Sequence, residues 1–488
     1  MEMADVVRQL ELGNSVAEFD EALEKYFVET EPFRALVSNR ADIVAGDKGT
    51  GKTAIFRILR QRYAGLPKLK HIEVLPAFNF SGNPVFQRLA HEQVLTEAQY
   101  ISVWKAYVLS LVGNWLLEIS GSDSSETLSR LDVLLQRTGL RSGDDAPATV
   151  FSKLVNAIKK FLNPATAGVE LTFSETGIPI VTPKVEFGER GEQPERTEVV
   201  PHEEALRLLD DCMKEMEVTA WVALDRLDEA FQGFPAVEVP ALRALFRTYL
   251  DLLEFEHLRL KLFVRRDLFR KITKGGFVNL THMNARKVEI VWDEEDLLNL
   301  LCRRIRERQA LLDELGLAGA SNVQLFARLV PEQIDPGERR PTSWKWIMSR
   351  IRDGNDIKPP RNLIDLVSKS REAQLRSEDR EPREYSPDHP IITAESIRRG
   401  LTRLSAERVE DTLLAEAGDA APIIERFRGG KSEYDDASLA AILGAPIANI
   451  ATAVKPLVDI GFLEPVGGTY KVPMLYRDGL EIIQGKAF

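Results

Sequence analysis

Residues 46 to 53 read Gly46-Asp47-Lys48-Gly49-Thr50-Gly51-Lys52-Thr53, which meets every fixed position of the G-x-x-x-x-G-K-[ST] pattern. Glycines let a backbone curl until successive N–H groups point at phosphate oxygens, and a helix starting there adds its positive end. In this pattern Lys52 reaches the β- and γ-phosphates and the Thr53 hydroxyl ligates Mg²⁺. The flanks agree with that use. Ala41-Asp42-Ile43-Val44-Ala45 is a short apolar strand entering the loop, and Ala54-Ile55-Phe56-Arg57-Ile58-Leu59-Arg60 continues as an amphipathic helix. A glycine-rich turn that matches by chance would not need strand, loop and helix in this order.

A second element turns nucleotide binding towards hydrolysis. Ala220-Trp221-Val222-Ala223-Leu224 is a continuous apolar run, as in a strand buried on both faces of a parallel sheet. It ends in Asp225-Arg226-Leu227-Asp228-Glu229. An acid at the tip of such a strand belongs at the crevice where open α/β sheets bind ligands, so Asp225 is the candidate Mg²⁺ carboxylate. Asp228 and Glu229 are candidates to orient and deprotonate the attacking water, with Glu229 preferred. A third run, Leu258-Arg259-Leu260-Lys261-Leu262-Phe263-Val264, ends in Arg265-Arg266-Asp267. Arg265 or Arg266 can sense the γ-phosphate, since guanidinium suits charge spread over its oxygens; the alternative is a surface pair answering Asp267. Further on, Pro359-Pro360-Arg361 opens a helix, and Arg361 either swings over the nucleotide or caps that helix.

Together these segments resemble the AAA/STAND/KAP region of P-loop ATPases. More narrowly, Tyr26-Phe27-Val28-Glu29-Thr30-Glu31, Leu224-Asp225-Arg226-Leu227-Asp228-Glu229 and residues 355 to 363 resemble a family of stand-alone bacterial P-loop ATPases. The resemblance implies ATP as the nucleotide, an α/β parallel sheet of the ASCE/AAA type, a helical lid, and a role in defence against phages. The loop spacing alone admits GTP, although no Asn/Thr-Lys-x-Asp guanine-reading motif is found.

Bulk properties set limits. At 488 residues the chain exceeds one ordinary core, and two to four domains are expected. Its 44% apolar and 28% charged content is that of a folded protein. Two cysteines, Cys212 and Cys302, make neither a disulfide framework nor a four-cysteine zinc site; both fall in helical patterns and are expected in or near the core. No apolar run approaches the roughly 18 residues of a bilayer span, and the start, Met1-Glu2-Met3-Ala4-Asp5, lacks a signal-peptide pattern. A cytoplasmic location and no membrane partner are the expectation. A net charge of −11 gives no general drive towards nucleic acid.

Five segments are expected: an N-terminal helical arm (1–40), the ATPase core (41–292), a helical lid (293–376), a linker (377–390) and a winged-helix domain (391–488). About 170 residues separate Thr53 from Asp225, which requires an insertion, placed at about 85–200. Within it, residues 100–119 and 144–162 are read as helices and 169–187 as a β-hairpin. The insertion is either a partner-binding surface or decoration of the sheet edge. Residues 303–308, Arg-Arg-Ile-Arg-Glu-Arg, are read as a solvated helix face rather than a track for phosphates.

In the last hundred residues, a short helix ending at Gly444, a helix over 448–460 and a hairpin with Gly467-Gly468 at its tip follow winged-helix order. From Pro390 onward eleven Lys/Arg face fourteen Asp/Glu, and Lys455 is the only cation of the would-be recognition helix. A groove reader needs several phosphate-neutralising residues, so protein docking or autoinhibition is preferred to DNA binding. Two functions follow from these readings. One is an ATP-driven switch or homo-oligomeric assembly acting on a separate effector protein. The other is a nucleic-acid ATPase using its winged helix and residues 303–308. A degenerate, binding-only chain is disfavoured by the complete set of Lys52, Thr53, Asp225 and Glu229.

Overall fold

The computed structural model describes residues 2–77, 95–121, 125–141, 177–179, 199–227 and 235–483. They form two units: Glu29–Gly46 with Lys52–Ile290, and Met1–Val28 with Asp47–Gly51 and Val291–Phe488.

The first unit is built on strands β1 (Ile43–Gly46), β2 (Ile72–Pro76), β3 (Gly177–Pro179), β4 (Val199–Pro201), β5 (Thr219–Leu224), β6 (Leu258–Arg265) and β7 (Lys287–Glu289). Among the described residues, five of them make one parallel sheet in the order β2-β5-β6-β1-β7. The loop-bearing strand β1 and the acid-bearing strand β5 therefore flank β6. This order, with one strand inserted between the two, is that of the α/β P-loop ATPase fold expected from the sequence. All four residues of β1 are buried, as are the last five of β5, which is why these strands read as unbroken apolar runs.

Helices complete the layer. The helix Lys52–Arg62 buries Ile55, Ile58 and Leu59, and Phe56 meets Phe263 of β6 edge to face at 5.6 Å. The helix expected over 100–119 spans Glu97–Ser120, fixed at its start by a Thr96–Gln99 capping box. Its buried Trp104 donates its indole N–H to Ala241 O at 2.9 Å. A polar knot lies at the entry of β1. Asp42, fully buried, accepts from Lys261 Nζ at 2.7 Å and from the Tyr249 hydroxyl at 3.1 Å, and pairs with Arg286. No local pattern marks Asp42 and Lys261, 219 positions apart, as partners inside apolar strands. Cys212 and Cys302 are buried. No single helix among the described residues is long and apolar enough to cross a membrane.

β3 pairs antiparallel with β4, Gly177 opposite Pro201. The partner of 177–179 thus lies at 199–201, beyond the hairpin expected within 169–187; the remainder of that hairpin and the helix expected at 144–162 lie outside the described residues.

In the second unit, the helices Met3–Gln9, Glu294–Arg306, Pro360–Glu378 and Ala394–Arg408 share one apolar core. The helix Ala394–Arg408 passes into a π-helical turn, Val409–Leu414. Then come β8 (Glu433–Tyr434), helices Asp436–Leu443 and Ile450–Asp459, and an antiparallel hairpin of β9 (Glu464–Val466) and β10 (Thr469–Lys471). Gly444 ends the first of these helices with φ +65°, a left-handed C-cap that glycine adopts without a side-chain clash.

Two expectations need correction in this unit. The arginines at 303–308 are only in part the solvated face expected: Arg303 is exposed, whereas Arg304 is buried. Arg304 is 4% exposed; it pairs with Asp20 at 2.9 Å and lies over the Tyr26 ring. Arg303 donates to Phe27 O at 2.8 Å, Arg306 to Ala320 O at 3.1 Å and Arg308 to Glu11 O at 3.1 Å. Arg303, Arg304 and Arg308 bind the N-terminal arm, whose irregular turns leave carbonyls that need donors. Residues 377–390, expected as a linker, are held in place by hydrogen bonds. Met3 N–H donates to Arg383 O at 2.8 Å, Arg383 Nε to the buried Glu378 at 2.7 Å, and Arg328 to Ser386 O at 2.8 Å.

Candidate nucleotide site

Within the sheet unit, the carboxyl ends of β1, β5 and β6 bring three predicted residues together. Lys52 opens the helix after the loop and donates to Gly46 O at 3.0 Å. Thr53, the next residue, places its hydroxyl beside the carboxylate of Asp225, which directly follows β5. Asp225 is 7% exposed. Burial pushes its carboxyl up to about 6, against the pull of Thr53, the Arg226 N–H and the charge of Lys52. Asp225 Oδ1 is buried with no hydrogen-bond partner among the described residues. An orphaned carboxylate oxygen beside a threonine hydroxyl is a donor set for a hard divalent cation, and these residues fit Mg²⁺. Arg226 adopts φ +58°, an uncommon left-handed backbone for a non-glycine residue, immediately after the acid. Asp228 and Glu229 lie outside the described residues.

Arg265 is in register with Gly46 across β6 and β1, at the start of the phosphate loop. Its guanidinium forks onto Asp267 at 3.0 and 2.9 Å. Arg266 pairs with Glu289 at the end of β7, 3.3 Å away. Each tip arginine thus has an acid to hold it, and the two face different partners.

Within the second unit, the loop apex is shaped by backbone. Gly49 has φ +76° and Gly51 φ +104°, conformations L side chains rarely adopt. The Thr50 N–H and hydroxyl both donate to Asp47 O, at 3.3 and 2.8 Å, and Trp292 donates its indole N–H to Thr50 O at 2.8 Å. Gly49 is also closely covered. A Cβ there would lie 3.2 Å from Arg361 Cβ and 3.3 Å from Pro359 Cβ. Arg361 follows Pro360 at the start of the helix Pro360–Glu378. Its Nε is buried with no hydrogen-bond partner among the described residues. Burial, and next the neighbouring Arg408, push its guanidinium below the usual arginine range. Lys48 forms an ion pair with Glu416.

Sequence reasoning missed Trp292, Glu416 and Arg408. Trp292 had a weak signal, standing immediately before the acidic first turn of the helix Glu294–Arg306. Glu416 is 368 positions from Lys48 and belongs to no motif.

No family model matches the chain, and no curated protein matches it. Similar solved structures include a Walker-type ATPase of Pyrococcus abyssi, 12% identical over 93% of this chain and 96% of that chain, with a TM-score of 0.39. The ORC1 protein of Aeropyrum pernix, solved in complex with DNA, is 12% identical over 93% of this chain and 92% of that chain, TM-score 0.32. The ORC2 protein of the same organism, solved as ADPNP and ADP complexes, is 11% identical over 94% and 91%, TM-score 0.38. Likenesses of this size add nothing to the strand order and the loop geometry, which stand without them.

Proposed function

We propose that this chain is a Mg²⁺-dependent ATPase that works as a nucleotide switch. The observation that carries the reading is the buried Asp225 carboxylate beside the Thr53 hydroxyl, its Oδ1 without a hydrogen-bond partner among the described residues. Such a buried carboxylate is costly to keep charged without a partner, and a cation on the bound triphosphate is the partner this geometry suits. Thr53 and Asp225 would hold Mg²⁺, which neutralises charge on the β- and γ-phosphate oxygens.

The loop amides of residues 46–53 and the Lys52 ammonium receive the phosphates. Water attacks the γ-phosphorus, the bond to the bridging β–γ oxygen breaks, and ADP leaves. Glu229 is the preferred acceptor of the water proton, with Asp228 the alternative. Arg361, aimed by its proline-started helix beside Gly49, supplies a guanidinium to the γ-phosphate, an interaction that hydrolysis removes. Arg265 or Arg266 is a second sensor if it exchanges its acid for phosphate.

The adenine assignment follows the family resemblance, as do homo-oligomerisation, a separate effector protein and a role against phages. The order helix, helix, antiparallel hairpin at the C-terminal end supports the winged-helix reading. The helix Ile450–Asp459 exposes Ala451, Thr452, Lys455, Pro456 and Asp459, one cation against one anion, which suits a protein contact better than a phosphate backbone. The test is phosphate release from Mg-ATP, with and without DNA, combined with light scattering in ADP and in a slowly hydrolysed ATP analogue. Turnover with analogue-dependent self-association and no DNA response supports the switch. Salt-sensitive stimulation by DNA replaces it with a nucleic-acid motor, and no turnover removes the enzyme reading.

A further inference from the structure

The ion pair between Lys48 and Glu416 joins the phosphate loop to a segment that no nucleotide motif includes. Lys48 stands at the third position of the loop, where the surrounding backbone is shaped to receive phosphate oxygens. Its ammonium is partly exposed and the Glu416 carboxylate is mostly buried, with side chains 38% and 23% accessible. A carboxylate held on that ammonium offers the loop the same chemistry as a phosphate oxygen: an anionic, hydrogen-bond-accepting group.

The segment that delivers Glu416 is unusual. The helix Ala394–Arg408 loses its regular spacing in the π turn Val409–Leu414, a form that is rare and clusters at functional sites. At the near end of the turn, Arg408 donates to Asn362 Oδ1 at 2.8 Å and pairs with Asp365. Asn362 directly follows Arg361, the γ-phosphate sensor proposed above. One short stretch, 408–416, therefore grips both the loop, through Glu416, and the sensor helix, through Arg408. Beyond it the chain enters the β8–β10 module.

We propose that Glu416 is a built-in competitor for triphosphate: its carboxylate occupies Lys48 until the γ-phosphate displaces it, and displacement frees the segment 408–416. The inference rests on the ATP reading and deepens it by naming how the C-terminal module senses the nucleotide. ATP competes better than ADP because it brings one more negative charge to the same ammonium. Removing the Glu416 charge raises ATP affinity, whereas a pair that merely braced the fold would lower stability and leave affinity unchanged.

The experiment has two arms on the full chain. Calorimetric titration with Mg-ATP and Mg-ADP compares the wild type with Glu416→Gln. About tenfold tighter ATP binding, with a smaller gain for ADP, is expected. Equal or weaker ATP binding in a variant of native melting temperature overturns the proposal. The second arm needs no variant: amide hydrogen exchange of residues 409–416 in the wild type speeds up with a slowly hydrolysed ATP analogue and not with ADP. Unchanged or slowed exchange with the analogue overturns it. A wild type that binds ATP but fails either arm removes only the latch, whereas a wild type that binds no nucleotide removes the ATP reading and the latch with it.

Discussion

The Thr53 hydroxyl lies beside the Asp225 carboxylate and favours its charged form, bringing together two residues about 170 positions apart. Their proximity follows from strand order. β1 and β5 both pair with β6, Ile43 and Leu224 each standing opposite Leu262, so the loop after one strand and the acid after the other emerge at the same end of the sheet, on either side of β6.

Asp225→Asn separates the two roles of that carboxylate. Burial already lifts its carboxyl to about 6, so a neutral amide of the same shape leaves thermal stability unchanged or higher. The Mg²⁺ dependence of ATP binding and turnover disappears, and turnover falls by a factor on the order of 10² or more, since a charged ligand to the metal is removed. Melting curves and phosphate-release rates check both halves; a large drop in melting temperature with normal turnover contradicts the assignment.

Gly49→Ala is expected to damage the loop for two independent reasons. The residue sits at φ +76°, and the new methyl meets Arg361 Cβ at 3.2 Å and Pro359 Cβ at 3.3 Å. Backbone strain of about 1–2 kcal/mol adds to the steric shift, and both show up as a lower denaturation midpoint and weaker ATP binding. A variant as stable as the wild type would show that the loop apex is not held this way.

Arg361→Ala tests discrimination between triphosphate and diphosphate. A hydrogen bond to a charged group contributes about 1.5–3 kcal/mol, so ATP affinity falls roughly ten- to a hundredfold while ADP affinity changes little. Competition binding measures the ratio. Equal losses for both nucleotides would place Arg361 away from the γ-phosphate.

His202 gives the fold a pH dependence apart from the site. It is 4% exposed with both ring nitrogens lacking hydrogen-bond partners among the described residues; burial, with a smaller push from Lys105, lowers its pKa from 6.5 to about 4. The unfolded chain therefore takes up the proton first. Stability from this residue is complete above pH 6.5 and falls as pH drops towards 4, by about 2 kcal/mol on reaching pH 5. Urea midpoints at pH 7 and pH 5 measure the fall, and His202→Leu abolishes that share of it. An identical pH slope in the variant contradicts a neutral, buried imidazole as its source.

The sheet and the loop were legible because their signals are local. Glycines at fixed spacing, the apolar runs 41–45 and 220–224, and an acid at a strand end each follow from a few consecutive residues. The helix start at Pro360-Arg361 was legible for the same reason, standing directly after a proline. The ion pairs were not. Asp42 with Lys261, Arg304 with Asp20 and Lys48 with Glu416 join distant positions, and charged residues inside apolar or amphipathic runs read as surface until tertiary structure supplies a partner. The arginines at 303–308 show the same limit: their spacing indicated a helix correctly, but not the N-terminal arm whose carbonyls Arg303, Arg304 and Arg308 satisfy.

The most direct measurement is a calorimetric titration of Mg-ATP into the wild type and into Lys52→Ala, each confirmed as folded by circular dichroism. Saturable uptake of one nucleotide per chain by the wild type, absent or roughly a hundredfold weaker in Lys52→Ala, is the predicted result. No heat from the folded wild type, or the same isotherm from both proteins, would contradict the claim that residues 46–53 are a working phosphate cradle.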